Sequence, residues 1–388
     1  MKIRGFLEDL SGIKKITKAR QDAMENASAE LPGRDPIREI ADTWHPGELE
    51  LRVLSVKDAG KEAKSYRFGK ADGSALPPFL AGQYLVLTLD IDGKAISRPY
   101  SISSAPSDAF KENGFVEITV KKPREDGFFA DRLFENLKEG GTVKALIGCG
   151  QFYYESLRDA QHILALAGGV GITPFASMAR EIAAGGLEGL SLTILYGANS
   201  KEELILFDEL REAAAACPER IRIVPVTDGF LSAERIAQYL SGDTSVFICG
   251  PQAMYRYLRE ELPKLALPQR RVRFEVFGQV KDISAYPGYP AEAVGKTYNL
   301  TVHRGIREDV VPAKASESLA VALERAGIRL ETGCRSGECG FCRTKVLSGP
   351  CFICPENDGR RAADKEFDYV HACAAFPLGD LEIRIPIA

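Results

Sequence analysis

The sequence predicts a multidomain protein that combines an antiparallel β-barrel, an α/β domain with a parallel sheet and a compact α+β domain. Three observations predict this fold class. Apolar and polar residues alternate in several short segments from about residue 48, and apolar strands alternate with helix-like stretches from about 160 to 277. The final part of the chain surrounds a cluster of cysteines. A chain of 388 residues with 45% hydrophobic residues can bury several separate cores.

Residues 1–45 are predicted to form an N-terminal helical extension. Apolar residues recur at spacings of three and four, the period of one helix face, at Ile3, Phe6, Leu7, Leu10, Ile13 and Ile16. The later part of the segment is basic through Lys14, Lys15, Lys18 and Arg20. Such a helix either packs on the protein's own body or forms a surface for a partner or a membrane.

Residues 46–158 are predicted to form a small barrel. Alternation with a period of two is typical of strands, and it occurs at Leu49, Leu51 and Val53, at Leu85, Leu87, Leu89 and Ile91, and at Val116, Ile118 and Val120. The second of these runs ends at Asp92-Gly93, a dipeptide typical of hairpin turns. Several short strands with turns between them favour an antiparallel barrel.

Residues 159–277 are predicted to form the α/β domain. Apolar strands are expected at 162–167, 190–196, 222–226, 245–249 and 272–277, with helix-like stretches between them. This alternation predicts a parallel sheet that is covered by helices on both faces. A flexible linker is then predicted over 278–296 from Gly278, Pro287, Gly288, Pro290 and Gly295. The α+β domain follows over 297–388.

Composition argues against several classes of function. With a net charge of −4 and a pI of about 5.8, the chain has no basic footprint for nucleic acid. No uninterrupted apolar run reaches the roughly 18–20 residues of a membrane-spanning helix. The N-terminal sequence carries too much charge for a secretory signal, so we expect a cytoplasmic protein without a membrane span.

The strongest motif is a cysteine loop, Cys334-x4-Cys339-x2-Cys342, which is followed by Cys373. This is the plant-type spacing of the thiolates that hold a 2Fe–2S cluster. Glycines punctuate the loop and allow it to fold tightly around such a cluster. A structural zinc site is the alternative, but zinc usually takes pairs of C-x2-C knuckles rather than this asymmetric loop. The four cysteines are therefore predicted metal ligands.

The region around this loop resembles plant-type ferredoxins across nearly all of 297–388, in the segments ETGCRSGECGFCRTKVLSG and YVHACAAFPLGDLEIRIP. The resemblance implies a β-grasp fold around the cluster. One departure is Cys351-x2-Cys354, which is either a metal-binding or redox pair or two ordinary thiols. Disulfide frameworks belong mainly to small secreted domains, so reduced thiols are also expected at Cys149, Cys217 and Cys249.

A second motif, Arg98-Pro99-Tyr100-Ser101, follows a predicted hairpin strand. With a barrel before a parallel sheet, it resembles the ferredoxin–NADP reductase superfamily over about residues 46–277. The resemblance implies that Arg98 pairs with a flavin phosphate, that Tyr100 packs on the isoalloxazine ring and that Ser101 hydrogen-bonds near the flavin N5. A guanidinium suits phosphate oxygens, and a hydroxyl can both donate and accept.

The superfamily's other flavin motif is a glycine, two variable residues and a serine or threonine at the start of a helix. Here it reads Gly127-Phe128-Phe129-Ala130. Backbone N–H groups at a helix start can still hold a pyrophosphate, although Ala130 lacks the usual hydroxyl. We expect FAD rather than FMN, and we also place Pro99 and Lys121 in the flavin site.

Three strand-end segments resemble the superfamily's nicotinamide motifs. The first contains Gly168, Gly169, Val170, Gly171, Thr173 and Pro174. Glycines let the backbone approach a pyrophosphate, and the following helix N-terminus supplies positive potential. This string is not the G-x-G-x-x-G fingerprint of other dinucleotide sites. The other two segments supply Tyr196 and Gly197, and Cys249, Gly250, Pro251 and Met254.

The segment Val226-Thr227-Asp228-Gly229 predicts the choice of nucleotide. In superfamily members that take NADPH, a serine–arginine pair at this place commonly grips the 2′-phosphate. Asp228 would repel a phosphate and could accept a hydrogen bond from a ribose hydroxyl. The sequence therefore favours NADH.

Together the modules predict a sequence of electron transfer. NADH delivers two electrons as a hydride, a 2Fe–2S cluster accepts one at a time, and a flavin can do both. The nicotinamide is expected near Ser101, Thr173 and Cys249, the predicted catalytic residues, and Phe277 is expected to cover the flavin ring when nicotinamide is absent.

The module order resembles the family of phthalate dioxygenase reductase and the reductase of hybrid cluster protein. This resemblance implies an NADH-dependent oxidoreductase that delivers electrons to a redox protein or metalloenzyme, such as an oxygenase. Two alternatives stay open. One is a non-catalytic electron carrier or docking subunit of a larger redox complex, and the other is a subunit of a membrane NADH–quinone reductase.

Overall fold

The computed structural model describes residues 6–28, 33–44, 46–122, 128–276, 278, 280 and 283–386. The chain divides into two units, Met1–Trp44 and His45–Ala388. None of the helices in the described ranges is both long enough and apolar enough to cross a membrane.

The first unit contains helix α1, Phe6–Glu25, and helix α2, Pro36–Trp44. Helix α1 lies within the predicted helical extension. Helical spacing places Ile37, Ile40 and Trp44 on one face of α2, and each of these side chains is more than half exposed.

The second unit begins with a six-stranded antiparallel sheet. Its strands are β1, Leu49–Asp58; β2, Ala63–Lys70; β3, Tyr84–Ile91; β4, Lys94–Ser101; β5, Val116–Lys121; and β6, Thr142–Cys149. Their order is β4-β3-β6-β1-β2-β5. A bridge between Ile102 and Ile118 joins the two outer strands, so the sheet closes into the predicted barrel. Helix α3, Phe128–Asn136, lies between β5 and β6.

Strand β3 is buried on both of its faces. Leu85 and Leu87 belong to the core of the barrel, as their alternation predicts. Tyr84 and Val86 point to the opposite face, where they are buried in a cluster with Cys334 of the C-terminal domain. The outer face of the barrel is therefore covered by another domain along this strand.

The α/β domain follows with five parallel strands and four helices. These are β7, His162–Gly168; α4, Thr173–Ala183; β8, Ser191–Gly197; α5, Phe207–Ala216; β9, Ile221–Val226; α6, Ala233–Ala237; β10, Ser245–Cys249; α7, Gln252–Glu261; and β11, Val272–Glu275. Separate apolar clusters cover the two faces of the sheet, which confirms the predicted two-sided burial.

The order of these strands is β11-β10-β7-β8-β9. The chain first moves outward from β7 to β9 and then returns to the other side of β7 with β10. In open parallel sheets, ligands bind at such a reversal, beyond the carboxyl ends of the strands. Gly168 ends β7 and Cys249 ends β10, so two of the predicted nicotinamide segments meet at this point.

The last domain is the predicted α+β unit. Its elements are β12, Thr297–Arg304; β13, Arg307–Lys314; α8, Leu319–Arg325; β14, Arg343–Ser348; β15, Cys351–Ile353; α9, Ala362–Glu366; β16, Tyr369–His371; β17, Ala375–Pro377; and β18, Leu381–Arg384. The main sheet has the order β13-β12-β18-β14-β16, with β12 and β18 parallel. Leu319 and Leu323 of α8 pack on Leu300 and Ile383 of this sheet.

The segment predicted as a flexible linker, 278–296, packs on the last domain where the structure describes it. Ile283, Tyr289 and Ala293 are buried in one cluster with Ala315 and Phe376. The Tyr289 hydroxyl donates a hydrogen bond to the Ala315 carbonyl at 2.8 Å. Apolar side chains between the glycines and prolines therefore anchor these residues to the last domain.

Candidate functional site

Strand β4 presents the flavin motif on the barrel. The Arg98 guanidinium lies 5.5 Å from the centre of the Phe129 ring, and the Tyr100 ring lies 6.2 Å from the same ring. Pro99 sits between them opposite Val86, and Ser101 is buried at the end of the strand. The structure thus brings the two predicted flavin motifs together.

Helix α3 supplies the second of these motifs. It begins at Phe128, and Phe129 and Ala130 in its first turn are buried. Gly127 lies outside the described residues, and Lys121 ends β5 just before this part of the chain. The helix start next to Arg98 fits a flavin phosphate, because backbone N–H groups at a helix start and a guanidinium both attract an anion.

Among the described residues, the hydrogen bonds of the Arg98 guanidinium use only one of its three nitrogen atoms. In the described part of the chain, it donates through Nη1 to the Ser97 carbonyl at 2.8 Å and to Glu324 at 3.1 Å. Its Nε and Nη2 atoms make no hydrogen bond to those residues. These two donors are parallel in a guanidinium and suit two oxygens of one phosphate.

The glycine-rich loop after β7 packs closely on the loop after β10. A Cβ atom on Gly171 would lie 2.3 Å from the Cys249 carbonyl oxygen, which is too close for any residue with a side chain. Cβ atoms on Gly168 and Gly250 would each lie 2.6 Å from the Met254 sulfur, and Pro251 is also near Gly168. The glycines are needed here because the two predicted nicotinamide segments touch.

Other residues of these segments form hydrogen bonds to the glycine-rich loop after β7. The Thr173 hydroxyl donates to the Val170 carbonyl at 2.9 Å at the start of α4, where Pro174 also lies. Tyr196 is fully buried, and its hydroxyl donates to the Gly169 carbonyl at 3.0 Å. Gly197 is the neighbour of Gly168 across the sheet. In this structure Thr173 and Tyr196 hold the shape of the loop.

Cys249 is a buried, neutral thiol at the end of β10. Burial, together with the carboxyl group of Glu275, raises its pKa above the ordinary value. The Tyr255 hydroxyl joins the neighbouring loops, since it donates to the Glu275 carbonyl and accepts from the Gly250 amide. Such a thiol can pack against a nicotinamide ring but is a poor nucleophile.

Glu275 is a buried carboxyl group between the α/β domain and the cluster loop. Burial, with Glu338 and Cys334, raises its pKa well above the usual value, so the neutral form is favoured. Just beyond it, the Gly278 amide donates to the Cys334 carbonyl at 3.3 Å. Phe277, the expected cover of the flavin ring, lies outside the described residues.

Asp228 lies on the surface after β9 and forms an ion pair with Arg235 of α6. The Arg235 Nη1 atom is 2.8 Å from the Asp228 carboxylate, whose side chain is 79% exposed. This hydrogen bond and the positive charge of Arg235 lower the pKa of Asp228. A carboxylate and a guanidinium therefore stand together at the position that was predicted to select the nucleotide.

The four predicted cluster ligands meet as two pairs. The backbone N–H of Cys334 donates to the Cys339 sulfur at 3.4 Å, and the Cys339 N–H donates to the Cys334 sulfur at 3.3 Å. The sulfurs of Cys342 and Cys373 are 3.3 Å apart. The Cys339 thiol and the Ser336 amide lower the pKa of Cys334 against the effect of burial, which favours its thiolate.

This arrangement fits a two-iron cluster better than one zinc ion. A 2Fe–2S cluster takes four thiolates, two on each iron, whereas a structural zinc ion needs four donors around one point. Among the described residues, no three His, Cys, Asp or Glu side chains are placed to hold a single metal ion. A Cβ atom on Gly333 would lie 3.0 Å from the Cys339 sulfur, so the loop also leaves little spare space.

Cys351 and Cys354 lie outside this ligand set. Cys351 begins β15, and the buried Cys354 thiol donates to the Asn357 side chain at 3.2 Å. Asn357 in turn donates to the Ser336 carbonyl of the cluster loop at 3.0 Å. Burial raises the pKa of both thiols, which favours the interpretation as ordinary reduced cysteines.

Sequence reasoning missed the residues that join the barrel to the cluster loop. Tyr84 lies between Ser101 and Cys149 on neighbouring strands and reaches the loop, where its hydroxyl oxygen would be 3.5 Å from a Cβ on Gly333. Glu324 of α8 binds Arg98 from the other side. The apolar run Tyr84-Leu85-Val86-Leu87 was the available signal, because a strand apolar on both faces is buried on both.

Family models cover the three domains in the predicted order. Residues 50–154 match an oxidoreductase FAD-binding domain, 165–260 match an oxidoreductase NAD-binding domain, and 303–378 match a 2Fe-2S iron-sulfur cluster binding domain. These matches confirm the predicted cofactors.

Relatives align over most of the chain. The ferredoxin reductase component of 3-ketosteroid-9-alpha-monooxygenase from Mycobacterium tuberculosis is 30% identical over 357 residues, which is 86% of this chain and 94% of the relative. The glycine betaine monooxygenase reductase subunit from Chromohalobacter salexigens is 26% identical over 366 residues, or 88% of this chain and 96% of that one.

The fold is that of a solved modular reductase. The structure of phthalate dioxygenase reductase matches with a TM-score of 0.64 and 24% identity, over 88% of this chain and 98% of that chain. This chain therefore belongs to the family of modular reductases in which an FAD-binding barrel, an NAD-binding domain and a 2Fe-2S domain follow one another, and it is an NAD(P)H-dependent oxidoreductase that passes electrons through flavin and the cluster to a protein acceptor.

Proposed function

We propose that the acceptor is the oxygenase component of a multicomponent oxygenase. The observation that carries the proposal is the alignment, over most of the chain, with proteins named as reductase components of monooxygenases. Bound cofactors would supply the conversion of a two-electron hydride donor into single electrons. The chain itself has to bind both cofactors, exclude water between them and present the cluster to the acceptor.

The cluster loop offers a surface for such a partner. Cys339 is the exposed member of the four ligands, and Phe341 beside it is 46% exposed. An exposed aromatic side chain next to a redox centre suits a transient protein interface, since aromatic residues are enriched at such interfaces. We place the acceptor against this edge of the last domain.

A reconstituted reaction tests the proposal. The purified holoprotein is mixed with NADH and the oxygenase encoded by a neighbouring gene, and substrate-dependent NADH oxidation and oxygenated product are measured. We expect product in proportion to the NADH consumed. Rapid reduction of an artificial dye with no electron delivery to any neighbouring metalloenzyme would contradict the choice of acceptor but not the reductase activity.

Variants of the exposed aromatic residues sharpen this test. We expect Phe341→Ala to raise the KM for the oxygenase about tenfold, the order of effect of an interface hot spot, while dye reduction is unchanged. Phe110→Ala is the matched control, because Phe110 is 66% exposed on the barrel. Equal effects of the two substitutions would show that Phe341 is not part of the acceptor surface.

The alternative function, a non-catalytic electron-carrier subunit, predicts a different result. Such a subunit would hold the same cofactors but reduce dye slowly from NADH when it is alone. The FAD-binding and NAD-binding domains on one chain favour the enzyme. A dye-reduction assay on the isolated holoprotein separates the two functions.

A further inference from the structure

Polar contacts tie strand β4 of the barrel to the last domain. The Lys94 ammonium donates to the Arg325 carbonyl at 2.6 Å, at the end of α8. Arg98 donates to the Glu324 carboxylate at 3.1 Å. These residues are far apart in sequence, and they bring the strand that carries the flavin motif against the helix that precedes the cluster loop.

Glu324 is held by two guanidinium groups at once. Arg335 donates to both of its carboxylate oxygens, at 2.6 and 3.0 Å, and Arg98 approaches from the barrel. Arg335 is the residue directly after the cluster ligand Cys334. One carboxylate thus connects the predicted flavin-phosphate residue to the cluster loop.

Arg335 is buried, so it depends on the negative charge of Glu324. Arg335 is only 2% exposed, and within the described ranges Glu324 is the one carboxylate that forms an ion pair with it. A buried guanidinium without its anion is strongly unfavourable. Loss of the charge on Glu324 would therefore force Arg335, and the loop next to Cys334, to move towards water.

We propose that Glu324 is a positioning residue that fixes the cluster loop against the flavin strand and so sets the geometry of electron transfer between the two domains. The inference rests on the proposed function only in needing both cofactors to be bound. Glu324 touches neither predicted nicotinamide segment, and it contacts Arg98 through Nη1 rather than through the Nε and Nη2 atoms that suit a phosphate. We therefore expect its effect on the step after flavin reduction and not on the reduction of bound flavin by NADH.

Glu324→Gln tests the role, because it removes the charge but keeps the size and a hydrogen-bond acceptor. With equal amounts of bound flavin in variant and wild type, we expect stopped-flow mixing of the holoprotein with NADH to show reduction of that flavin at the wild-type rate. Bleaching of the cluster should be at least about tenfold slower, since small displacements of reacting groups have effects of this order. Glu324→Asp, which restores the charge on a shorter side chain, should recover part of the rate.

Hydrogen exchange gives a readout that does not depend on turnover. In Glu324→Gln, amides of α8 and β4 at the interface should exchange faster, while those of the α/β domain stay unchanged. Asp309→Asn is the matched control, because Asp309 pairs at 2.7 Å with Arg304 on the β12–β13 pair inside the last domain. It should change neither the exchange across the interface nor the bleaching rate.

Lys94→Ala provides a second variant if Glu324→Gln does not fold. It removes the other contact across the same interface and should slow cluster bleaching in the same direction by a smaller factor. Bleaching within about twofold of wild type in both variants, or equal slowing of flavin reduction, would overturn the proposal. Wild-type protein that NADH fails to reduce would instead overturn the assigned reductase activity.

Discussion

Tyr84 of the barrel and Cys334 of the cluster loop pack in one buried cluster, although they belong to different domains. Tyr84 is 2% exposed, and its cross-strand neighbour in β4 is Ser101, the residue that we expect near the flavin N5. Tyr84 thus packs on a predicted cluster ligand and pairs with the strand that carries the flavin motif. This contact explains why the outer face of β3 is apolar.

Removal of the Tyr84 ring should weaken both the fold and the electron path. We expect Tyr84→Ala to lower the free energy of unfolding by about 3 kcal/mol, because a large buried side chain leaves a cavity. Cluster bleaching after NADH should also slow relative to flavin reduction. Urea unfolding and stopped-flow absorbance measure the two effects.

Tyr84→Phe is the control for this prediction. It keeps the ring and removes only the hydroxyl. The free energy of unfolding should therefore fall by only about 1 kcal/mol, the usual contribution of a hydrogen bond. The bleaching rate should stay close to wild type. A Phe variant as slow as the Ala variant would show that the hydroxyl, and not the packing of the ring, matters for transfer.

The assignment of the cluster ligands predicts a selective loss. Cys339→Ala should abolish the paramagnetic signal of the reduced cluster, because one iron loses a thiolate. Flavin reduction by NADH should persist, since the flavin motifs lie on the barrel. Low-temperature electron paramagnetic resonance checks the signal, and iron and sulfide analysis checks the content.

Cys351→Ala is the matched control, because Cys351 lies in the same domain outside the two sulfur pairs. It should keep a normal signal and a normal iron content. A cluster that survives in Cys339→Ala and disappears in Cys351→Ala would reverse the ligand assignment.

A buried carboxylate between the barrel and the α/β domain predicts a dependence of stability on pH. Glu117 is 3% exposed and accepts from Arg180 at 2.7 Å and from Arg67 at 2.8 Å. Burial raises its pKa, but the two guanidinium groups outweigh burial, so the pKa lies below its usual value. A lowered pKa contributes stability above the unfolded value that is lost as the pH falls through the folded value.

Glu117→Gln should therefore lower the free energy of unfolding by about 3 kcal/mol at neutral pH, because it leaves Arg180 and Arg67 without their anion. The difference from wild type should shrink below about pH 4, where the unfolded carboxyl becomes protonated. Urea unfolding of both proteins between about pH 7 and pH 3 measures this difference in the free energy of unfolding. A difference that does not change with pH would mean that the charge of Glu117 contributes nothing.

Local patterns were sufficient to predict the fold class. The alternation in Leu85 and Leu87 located β3, and the apolar runs located the parallel strands to within one or two residues at most ends. The cysteine spacing predicted four ligands, and the structure brings these four cysteines into two pairs. Each of these signals is short-range, so it can be detected without knowledge of the fold.

Contacts between domains could not be predicted in the same way. In the sequence Glu324 is one of 54 acidic residues, and only domain docking brings its carboxylate to Arg98. The segment 278–296 looked flexible because of its glycines and prolines, but Ile283 and Tyr289 anchor it. Asp228 was recognised, whereas its partner Arg235 lies on the next helix and was not. Partners of this kind depend on tertiary structure.

The ion pair of Asp228 and Arg235 changes how nucleotide choice should be tested. We expect wild-type protein to favour NADH over NADPH by at least about tenfold in kcat/KM, because a 2′-phosphate would meet the Asp228 carboxylate. The Arg235 guanidinium lies 2.8 Å from that carboxylate and is neutralised by it in the wild-type protein. Asp228→Asn should release it and raise the efficiency with NADPH about tenfold, with little change for NADH. Steady-state kinetics with both nucleotides measure this shift.

A second substitution shows whether Arg235 is the group that is released. Arg235→Ala added to Asp228→Asn should cancel the gain with NADPH, because the guanidinium that binds the 2′-phosphate is gone. Flavin reduction by NADH should be unchanged in both variants, since neither residue lies in the loops after β7 or β10. If Asp228 only stabilises the turn before Gly229, wild-type protein would use the two nucleotides equally and neither substitution would alter their ratio. Equal efficiencies in wild type would therefore refute the role of Asp228, whereas a gain that survives Arg235→Ala would refute only the role of Arg235.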